Sequence, residues 1–168
     1  ILKRRKIKLL KEANYYTEEI RRIIKDNYGF DKLYAEGLSI KSPLDVNYQL
    51  YALSALREGI ESYDRRHGWR GPILNTKTQK NWKEILKREK IDPSLNWSLA
   101  EIKNVNESEI VFQILNGKEQ GTITVNNLKW AINKTIYDSF KVNDGVYVQK
   151  KSNGKWELKQ YPKVDGAI

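Results

Sequence analysis

The chain has 168 residues, enough for one ordinary domain or for a small domain with helical attachments, and its 39% hydrophobic content is sufficient for a core. It contains no cysteine and a single histidine, which excludes a disulfide framework, a thiolate metal site, a cysteine nucleophile and a histidine pair for zinc. Its net charge of +10 would attract nucleic acid, anionic lipid or acidic glycan, although the lysines are scattered among acidic residues as on an ordinary solvated surface.

The sequence contains few signals for membrane insertion or targeting. No run approaches the ~18 apolar residues that a membrane-spanning helix needs, so none is predicted. The chain contains no methionine, not even at position 1, and we therefore expect it to be an excised part of a longer product.

Helical periodicity dominates the first 70 residues. Apolar residues recur at three- and four-residue steps from residue 3 to about 26, whereas residues 37–44 alternate and predict a short strand. Asp45 is a good N-cap for a strong helix that ends near Arg66, and a further short helix is predicted over residues 79–88. The apolar stripe of the strong helix consists of Val46, Leu50, Leu53, Leu56, Ile60 and Tyr63.

From about Ser98 the apolar pattern has the period of two that is typical of strands. Asn116-Gly117 and Asn153-Gly154 supply tight hairpin turns, and a helical turn near residues 128–132 interrupts the strands. Four or five short antiparallel strands favour a small closed barrel of the OB type, so the predicted fold class is α+β, an OB-like antiparallel β-barrel with flanking amphipathic helices. The alternating apolar positions are Ile110, Phe112, Ile114, Ile123, Val125, Val146, Val148, Trp156 and Leu158.

Candidate catalytic residues are few. Residues 152–155 match the S-x-x-K nucleophile motif, but that chemistry needs the serine at the start of a helix, and here the motif coincides with a predicted hairpin turn. Glu58, Glu61 and Asp64 share one helix face, where surface ion pairing is the commoner outcome. His67 is expected to have a structural role in a helix-to-loop corner. We therefore predict no catalytic residue, no metal site and no cofactor.

Aromatic residues are the better functional signal, with five tryptophans and ten tyrosines. An OB-like barrel with exposed aromatic and basic residues can bind single-stranded nucleic acid by stacking, and Tyr147 and Lys150 fit the outer face of such a barrel. However, Trp156 alternates with Leu158 as a core residue does, and a complete stacking platform is missing. The other tryptophans are expected to pack the helices onto the barrel.

Two segments of the chain resemble class A penicillin-binding proteins, the bifunctional peptidoglycan synthases, and in particular their type 1A branch. Residues 33–72, from LYAEGLSIKSPLD to YDRRHGWRGP, are similar to that family's run ending in YD-x-RHGYRGP. Residues 125–131 and the closing WELKQYPKVDGAI are similar to its W-x-L-x-Q-x-P-x-V-x-GAL segment. Ser42-Pro43 departs from the family's two threonines. The resemblance covers nearly the whole chain in the right order.

The resemblance implies a domain organisation. Residues 1–36 would be a helical linker after a glycosyltransferase domain, and residues 37–68 the first strand and helix of a transpeptidase domain. Residues 69–161 would be the OB-like barrel inserted in that domain, and residues 162–168 the return segment. The catalytic serine of the parent would follow residue 168, and the glycosyltransferase glutamates would precede residue 1.

The resemblance also implies a function. The chain would be a non-catalytic docking or spacing module of a single-pass membrane protein, on the periplasmic side of the bacterial inner membrane. Its expected partners are an outer-membrane lipoprotein activator, another cell-wall synthesis protein or peptidoglycan, with Arg70, Trp130 and Tyr147 as contacts. Self-association through the exposed helix stripe is also expected. The alternatives are a single-stranded nucleic-acid-binding OB protein and a spacer without a ligand.

Overall fold

A computed structural model of the chain describes residues 11–79, 81, 83–84, 91–115 and 117–164. The chain divides into two compact units, an N-terminal unit, Ile1–Gly59, and a C-terminal unit, Ile60–Ile168. Helices α1 (Asn14–Tyr28) and α2 (Phe30–Tyr34) lie in the first unit, while α3 (Val46–Arg66) runs from the first into the second. None of the helices in the described ranges is both long enough and apolar enough to cross a membrane.

Helix α3 begins as the sequence predicts. The Asp45 carboxylate accepts hydrogen bonds from the backbone N–H groups of Asn47, at 2.8 Å, and Tyr48, at 3.2 Å. These two donors belong to the first turn and have no partner within the helix, so the aspartate satisfies them as an N-cap does.

The strand predicted over residues 37–44 is wrong, because these residues are irregular. Leu38 and Ile40 are each 44% exposed. A strand requires a neighbour for its backbone hydrogen bonds, and the described part of the N-terminal unit contains no strand to pair with it. Alternation of apolar and polar residues is therefore not sufficient to make this segment a β-strand.

The C-terminal unit is an antiparallel sheet in the order β1-β5-β2-β3-β4, with β6 also paired to β5. Gly145 of β5 is opposite Glu101 of β2 and Leu74 of β1, so these two neighbours lie on different edges of β5. Strands β1 and β6 share the second edge. The strands are β1 (Leu74–Asn75), β2 (Ser98–Val105), β3 (Glu109–Ile114), β4 (Gln120–Thr124), β5 (Asp144–Lys150) and β6 (Trp156–Lys159).

One face of this curved sheet encloses the core. The prediction of alternating inward residues is confirmed for Ile110 and Phe112, both fully buried, whereas Ile114 and Val125 are only partly buried. Burial of these side chains is the main favourable term for the unit. The other strand residues of this core are Ala100, Ile102, Ile123, Val146, Val148, Trp156 and Leu158.

The sheet curls as an OB-like barrel does. The strand pattern of the sequence predicts a closed barrel, but hydrogen bonds do not close this sheet. In the described strands, β4 and β6 approach each other without forming a ladder. The Trp156 indole lies so close to Gly121 that a Cβ there would be 2.7 Å from its Nε1 atom. A side chain therefore fills the gap that backbone pairing would otherwise close.

Two short helices, α4 (Val125–Leu128) and α5 (Ile136–Ser139), separate β4 from β5. Helix α4 and the 3-10 turn Lys129–Ala131 confirm the predicted helical interruption. Helix α5 was not anticipated. It starts with a capping box in which Thr135 and Asp138 satisfy each other's backbone N–H groups. The helix predicted over residues 79–88 and the Asn116 turn position fall largely outside the described residues.

Candidate functional site

Asp64, in the last turn of α3, is the centre of a hydrogen-bonded cluster. Its side chain is only 4% exposed. The Arg70 guanidinium binds it at 2.6 Å through Nη1 and at 3.1 Å through Nη2. The Gln160 Nε2 atom donates to it at 2.8 Å, and the Lys163 backbone N–H at 3.3 Å. A carboxylate with two charge-assisted bonds and two further donors is well compensated for its burial.

The balance of these effects keeps Asp64 ionised. Burial raises the pKa of its carboxyl, but the hydrogen bonds from Arg70, Gln160 and the Lys163 backbone, with the positive charge of Arg70, together outweigh burial. The net result is a pKa below the ordinary value of 3.8.

The same residues join two distant parts of the chain, the segment that follows α3 and the segment that follows β6. The Gln160 side chain accepts from the Arg70 backbone N–H at 2.8 Å and donates to the Gly68 carbonyl at 3.1 Å. The Arg70 side chain donates to the Tyr161 carbonyl at 2.6 Å. We call Asp64, Gly68, Arg70, Gln160 and Tyr161 the junction.

A second polar group, the ionic belt, lies between the end of α3 and β6. The Lys159 ammonium, whose side chain is 5% exposed, is 2.5 Å from the Glu61 carboxylate. The Glu157 carboxylate is 3.6 Å from Lys159, 3.3 Å from Lys151 and 3.7 Å from Arg65. Three cations therefore face two carboxylates, and all members except Lys159 retain some exposure.

Aromatic rings border the ionic belt. The Arg65 guanidinium carbon is 5.2 Å from the Trp130 ring centre, and the Lys159 ammonium is 5.7 Å from the Trp97 ring centre. Trp130 meets Trp69 edge-on at 5.7 Å, and Trp69 packs on the core. Cations at these distances are attracted to the ring face.

The structure places the three predicted contact residues in different surroundings. Arg70 belongs to the junction, where Asp64 and the Tyr161 carbonyl occupy its guanidinium. Trp130 is half-buried beside Arg65. Tyr147 was expected on an exposed outer face, but it is 7% exposed and its ring lies 6.1 Å from that of Trp97. A binding role for these three residues stays a prediction.

Sequence reasoning missed the junction as a unit. It assigned Asp64 to surface ion pairing, and it gave no role to Gln160, which is 96 residues away. The available signal was that Asp64, Arg70 and Gln160 all fall within the two segments that resemble penicillin-binding proteins.

The S-x-x-K match lies in a hairpin turn, as predicted. The Lys151 backbone N–H donates to the Lys155 carbonyl at 2.8 Å, and Gly154 has the positive φ of 78° that such a turn favours. His67 forms a 3.0 Å hydrogen bond between its Nδ1 atom and the Tyr63 carbonyl at the end of α3. Within the described ranges, no group of three histidine, aspartate or glutamate side chains is arranged to hold a metal ion.

Comparison with known protein families identifies the family of the C-terminal part of the chain. The family described as "Penicillin-binding protein OB-like domain" matches residues 69–164, more than half of the chain. The chain belongs to this family. The OB-like domain thus starts just after α3, and the junction includes residues from both of its ends.

Relatives extend the similarity beyond the OB-like domain. The chain is 32% identical over 160 residues to "Penicillin-binding protein 1A" of Rickettsia felis, covering 93% of this chain and 20% of that protein. It is 26% identical over 169 residues to the Pseudomonas aeruginosa protein of that name, again covering 93% of this chain and 20% of the relative. The chain therefore spans about a fifth of the length of these curated relatives.

A solved structure supports the fold. The crystal structure of penicillin-binding protein 1A from Haemophilus influenzae superposes with a TM-score of 0.62 at 23% identity. The match covers 89% of this chain and 22% of that one. The predicted fold, an OB-like sheet with flanking helices, is confirmed, with the difference that the sheet remains open.

Proposed function

We propose that this chain is the non-catalytic OB-like region of a bifunctional peptidoglycan synthase, and that it serves cell-wall assembly as a positioning and docking module. The parent would carry glycosyltransferase and transpeptidase centres elsewhere in its sequence and would be anchored in the bacterial inner membrane, with this region in the periplasm. The family match and the penicillin-binding protein 1A relatives support the parentage.

The junction is the observation that carries the positioning role. Both ends of the OB-like domain are tied to Asp64 at the end of α3. Buried charge-assisted bonds have narrow geometric requirements, so they fix the incoming and outgoing segments relative to this helical turn. An arrangement of this kind transmits position, because its two charged side chains, Asp64 and Arg70, are already hydrogen-bonded within the chain.

The gene from which the chain derives provides the first test. We expect the coding sequence downstream of the Ile168 codon to contain S-x-x-K, then S-x-N, then K-T-G, the motif set of penicillin-interacting enzymes. A stop codon there, or a continuation without these motifs, would contradict the proposed parent.

Fluorescent penicillin tests the non-catalytic part of the proposal. The reagent acylates an activated serine, so it should label the full gene product and leave this chain unlabelled, because Ser152 lies in a hairpin turn. Ser152→Ala provides the matched control. Labelling of the chain that disappears in this variant would show that the region is catalytic.

Single-stranded nucleic acid is the competing ligand, and the burial of the aromatic rings on the sheet does not favour it. Stacking requires exposed aromatic rings on the sheet, whereas Tyr147 and Trp156 are 7% and 8% exposed. Oligothymidine is the appropriate probe. Submicromolar binding that weakens about a thousandfold between low and moderate salt would favour the nucleic-acid hypothesis.

A further inference from the structure

Two arginines near the end of α3, Arg65 and Arg70, differ in how many of their N–H donors are hydrogen-bonded. Arg70 makes three short hydrogen bonds, at 2.6, 3.1 and 2.6 Å. Among the described residues, the polar contacts of Arg65 are all long, to the Leu158 carbonyl at 3.5 Å and to Glu157 and Glu61 at 3.7 and 3.9 Å. All three involve its Nη2 atom. Because a guanidinium has five N–H donors, Arg65 retains most of its hydrogen-bonding capacity within the described structure.

The surroundings of Arg65 suit an incoming anion. Its side chain is 32% exposed, so it is accessible yet partly desolvated. It lies over the half-buried Trp130 ring, which restricts the guanidinium and offers an apolar wall beside it. Lys151, 42% exposed, reaches the same carboxylate of Glu157 at 3.3 Å. The ionic belt therefore has one cation more than its two carboxylates balance.

The combination of residues points to a peptide partner. Arginine and tryptophan are enriched at the energetic centres of protein interfaces, and a planar guanidinium matches the two oxygens of a carboxylate. The chain's net charge of +10 would steer an acidic partner towards it.

We propose that Arg65, Lys151 and the Trp130 ring form a receptor for a carboxylate side chain of an acidic peptide segment. In the complex the Arg65 guanidinium donates two parallel hydrogen bonds to the carboxylate. Lys151 moves from Glu157 towards the same group, and the apolar atoms of the peptide lie on Trp130. This deepens the docking role proposed above and rests on it. It also replaces Arg70 with Arg65 as the anion-binding arginine.

Solution NMR of the whole chain tests the receptor, with the Arg65 Nε–H and Trp130 indole N–H signals as readouts. The probe is acetyl-Glu-Leu-Glu-amide, and acetyl-Gln-Leu-Gln-amide is its uncharged match. We expect saturable shifts of both signals with the acidic peptide and none with the neutral one. Equal shifts with acetate or inorganic phosphate at the same concentration would overturn the proposal, because they would indicate an unspecific cation cluster.

Substitutions locate the site. Arg65→Gln should weaken binding at least about tenfold, because it removes the positive charge and at least one of the two hydrogen bonds to the carboxylate. Arg66→Gln is the matched control, since Arg66 contacts Tyr63 and Ser62 of its own helix. Lys151→Gln, compared with Lys155→Gln in the same hairpin, keeps the test valid if Arg65→Gln unfolds the protein. Unchanged binding in both Arg65→Gln and Lys151→Gln would refute the receptor.

The tests of the carboxylate receptor can fail independently of the tests of the proposed function. The parentage depends on the downstream motifs and the penicillin reaction, which do not involve Arg65. Absence of peptide binding together with those motifs would overturn the receptor alone. Binding of oligothymidine that displaces the acidic peptide from the Arg65 signal would also overturn it, in favour of a general polyanion surface.

Discussion

At the scale of single residues, Asp64 shows how a charged side chain is accommodated inside a protein. Removing a carboxylate from water costs several kcal/mol, and its partners must recover that cost through geometry. Here a guanidinium, a side-chain amide and a backbone N–H recover it together. Loss of the negative charge would leave the Arg70 guanidinium without its counter-ion.

Asp64 predicts a loss of stability in acid. Its pKa in the folded protein is below 3.8, so below about pH 5 the unfolded state binds more protons than the folded state. The stabilisation is fully present above the unfolded pKa and is lost as the pH falls through the folded one. Urea denaturation from pH 7 to pH 3 should show a decreasing free energy of unfolding, and Asp64→Asn should show a shallower decrease.

The same variant should cost about 2 kcal/mol at pH 7, because it removes hydrogen bonds to a charged group. Glu107→Gln, at an exposed carboxyl between β2 and β3, is the control and should change little. Some acid sensitivity should persist, since burial raises the pKa of Glu101 but hydrogen bonds from Lys103 and Thr76 bring it below its ordinary value. An equally steep pH profile in Asp64→Asn would show that Asp64 contributes nothing to it.

Residue-level prediction from the sequence succeeded where a side chain acts locally. Asp45 caps a helix that starts one residue later, so its role was visible in the sequence. Arg70 and Tyr147 were selected as binding contacts, and that role stays a prediction, because their exposure depends on residues far along the chain. Asp64 and Gln160 meet only after the intervening OB-like domain has folded. Local patterns hold no information on such a contact.

At the scale of elements, hydrophobic alternation predicted strands β3, β4, β5 and β6 because each has one face on the core, whereas no alternating residues were assigned to β2. Strand β1 has two residues, too few for a pattern, and α5 has four. The strand expected over residues 37–44 failed for the opposite reason, because a pattern was present without a pairing partner. Periodicity predicts which face is buried, whereas pairing is decided by the rest of the fold.

The open seam between β4 and β6 gives a prediction for Gly121. A methyl group there would be 2.5 Å from the Phe112 ring and 2.7 Å from the Trp156 indole, in a core where both rings are packed. Gly121→Ala should therefore destabilise the C-terminal unit by about 2 kcal/mol, as overpacking does. Thermal and urea denaturation monitored by tryptophan fluorescence measure the effect directly.

Gly117→Ala is the comparison for this variant. A methyl group there would meet Ile114 at an ordinary 3.6 Å, so the change should stay within about 0.5 kcal/mol. If both variants were equally stable, the close approach of Trp156 to β4 would not exist in solution.

At the scale of the whole molecule, the two units differ in how they are stabilised. The C-terminal unit has a contiguous core of thirteen buried residues, whereas Ala13 is the only buried hydrophobic residue among residues 12–59. Short helices without a packed apolar face are marginal in water. Independent stability is therefore expected of the C-terminal unit alone.

A chain that starts at Ile60 should retain the near-ultraviolet circular dichroism and the cooperative melting of the full chain. Residues 1–59 on their own should lose most of their helix content. Hydrogen exchange of the full chain provides an independent check, with amides of the N-terminal unit exchanging first. If the Ile60 chain were unfolded, the C-terminal unit would depend on the preceding helices for its stability.

The junction also has a consequence for protein engineering. Gln160 bonds to both Gly68 and Arg70, so the segments on either side of the OB-like domain run next to each other. A domain whose entering and leaving segments are adjacent can be deleted and replaced by a short glycine-containing linker without separating the flanking parts of the protein. By the same geometry, the OB-like domain can be inserted into an exposed turn of an unrelated protein. Gln160 should be kept in such an insertion, because its side chain holds the two ends of the domain together.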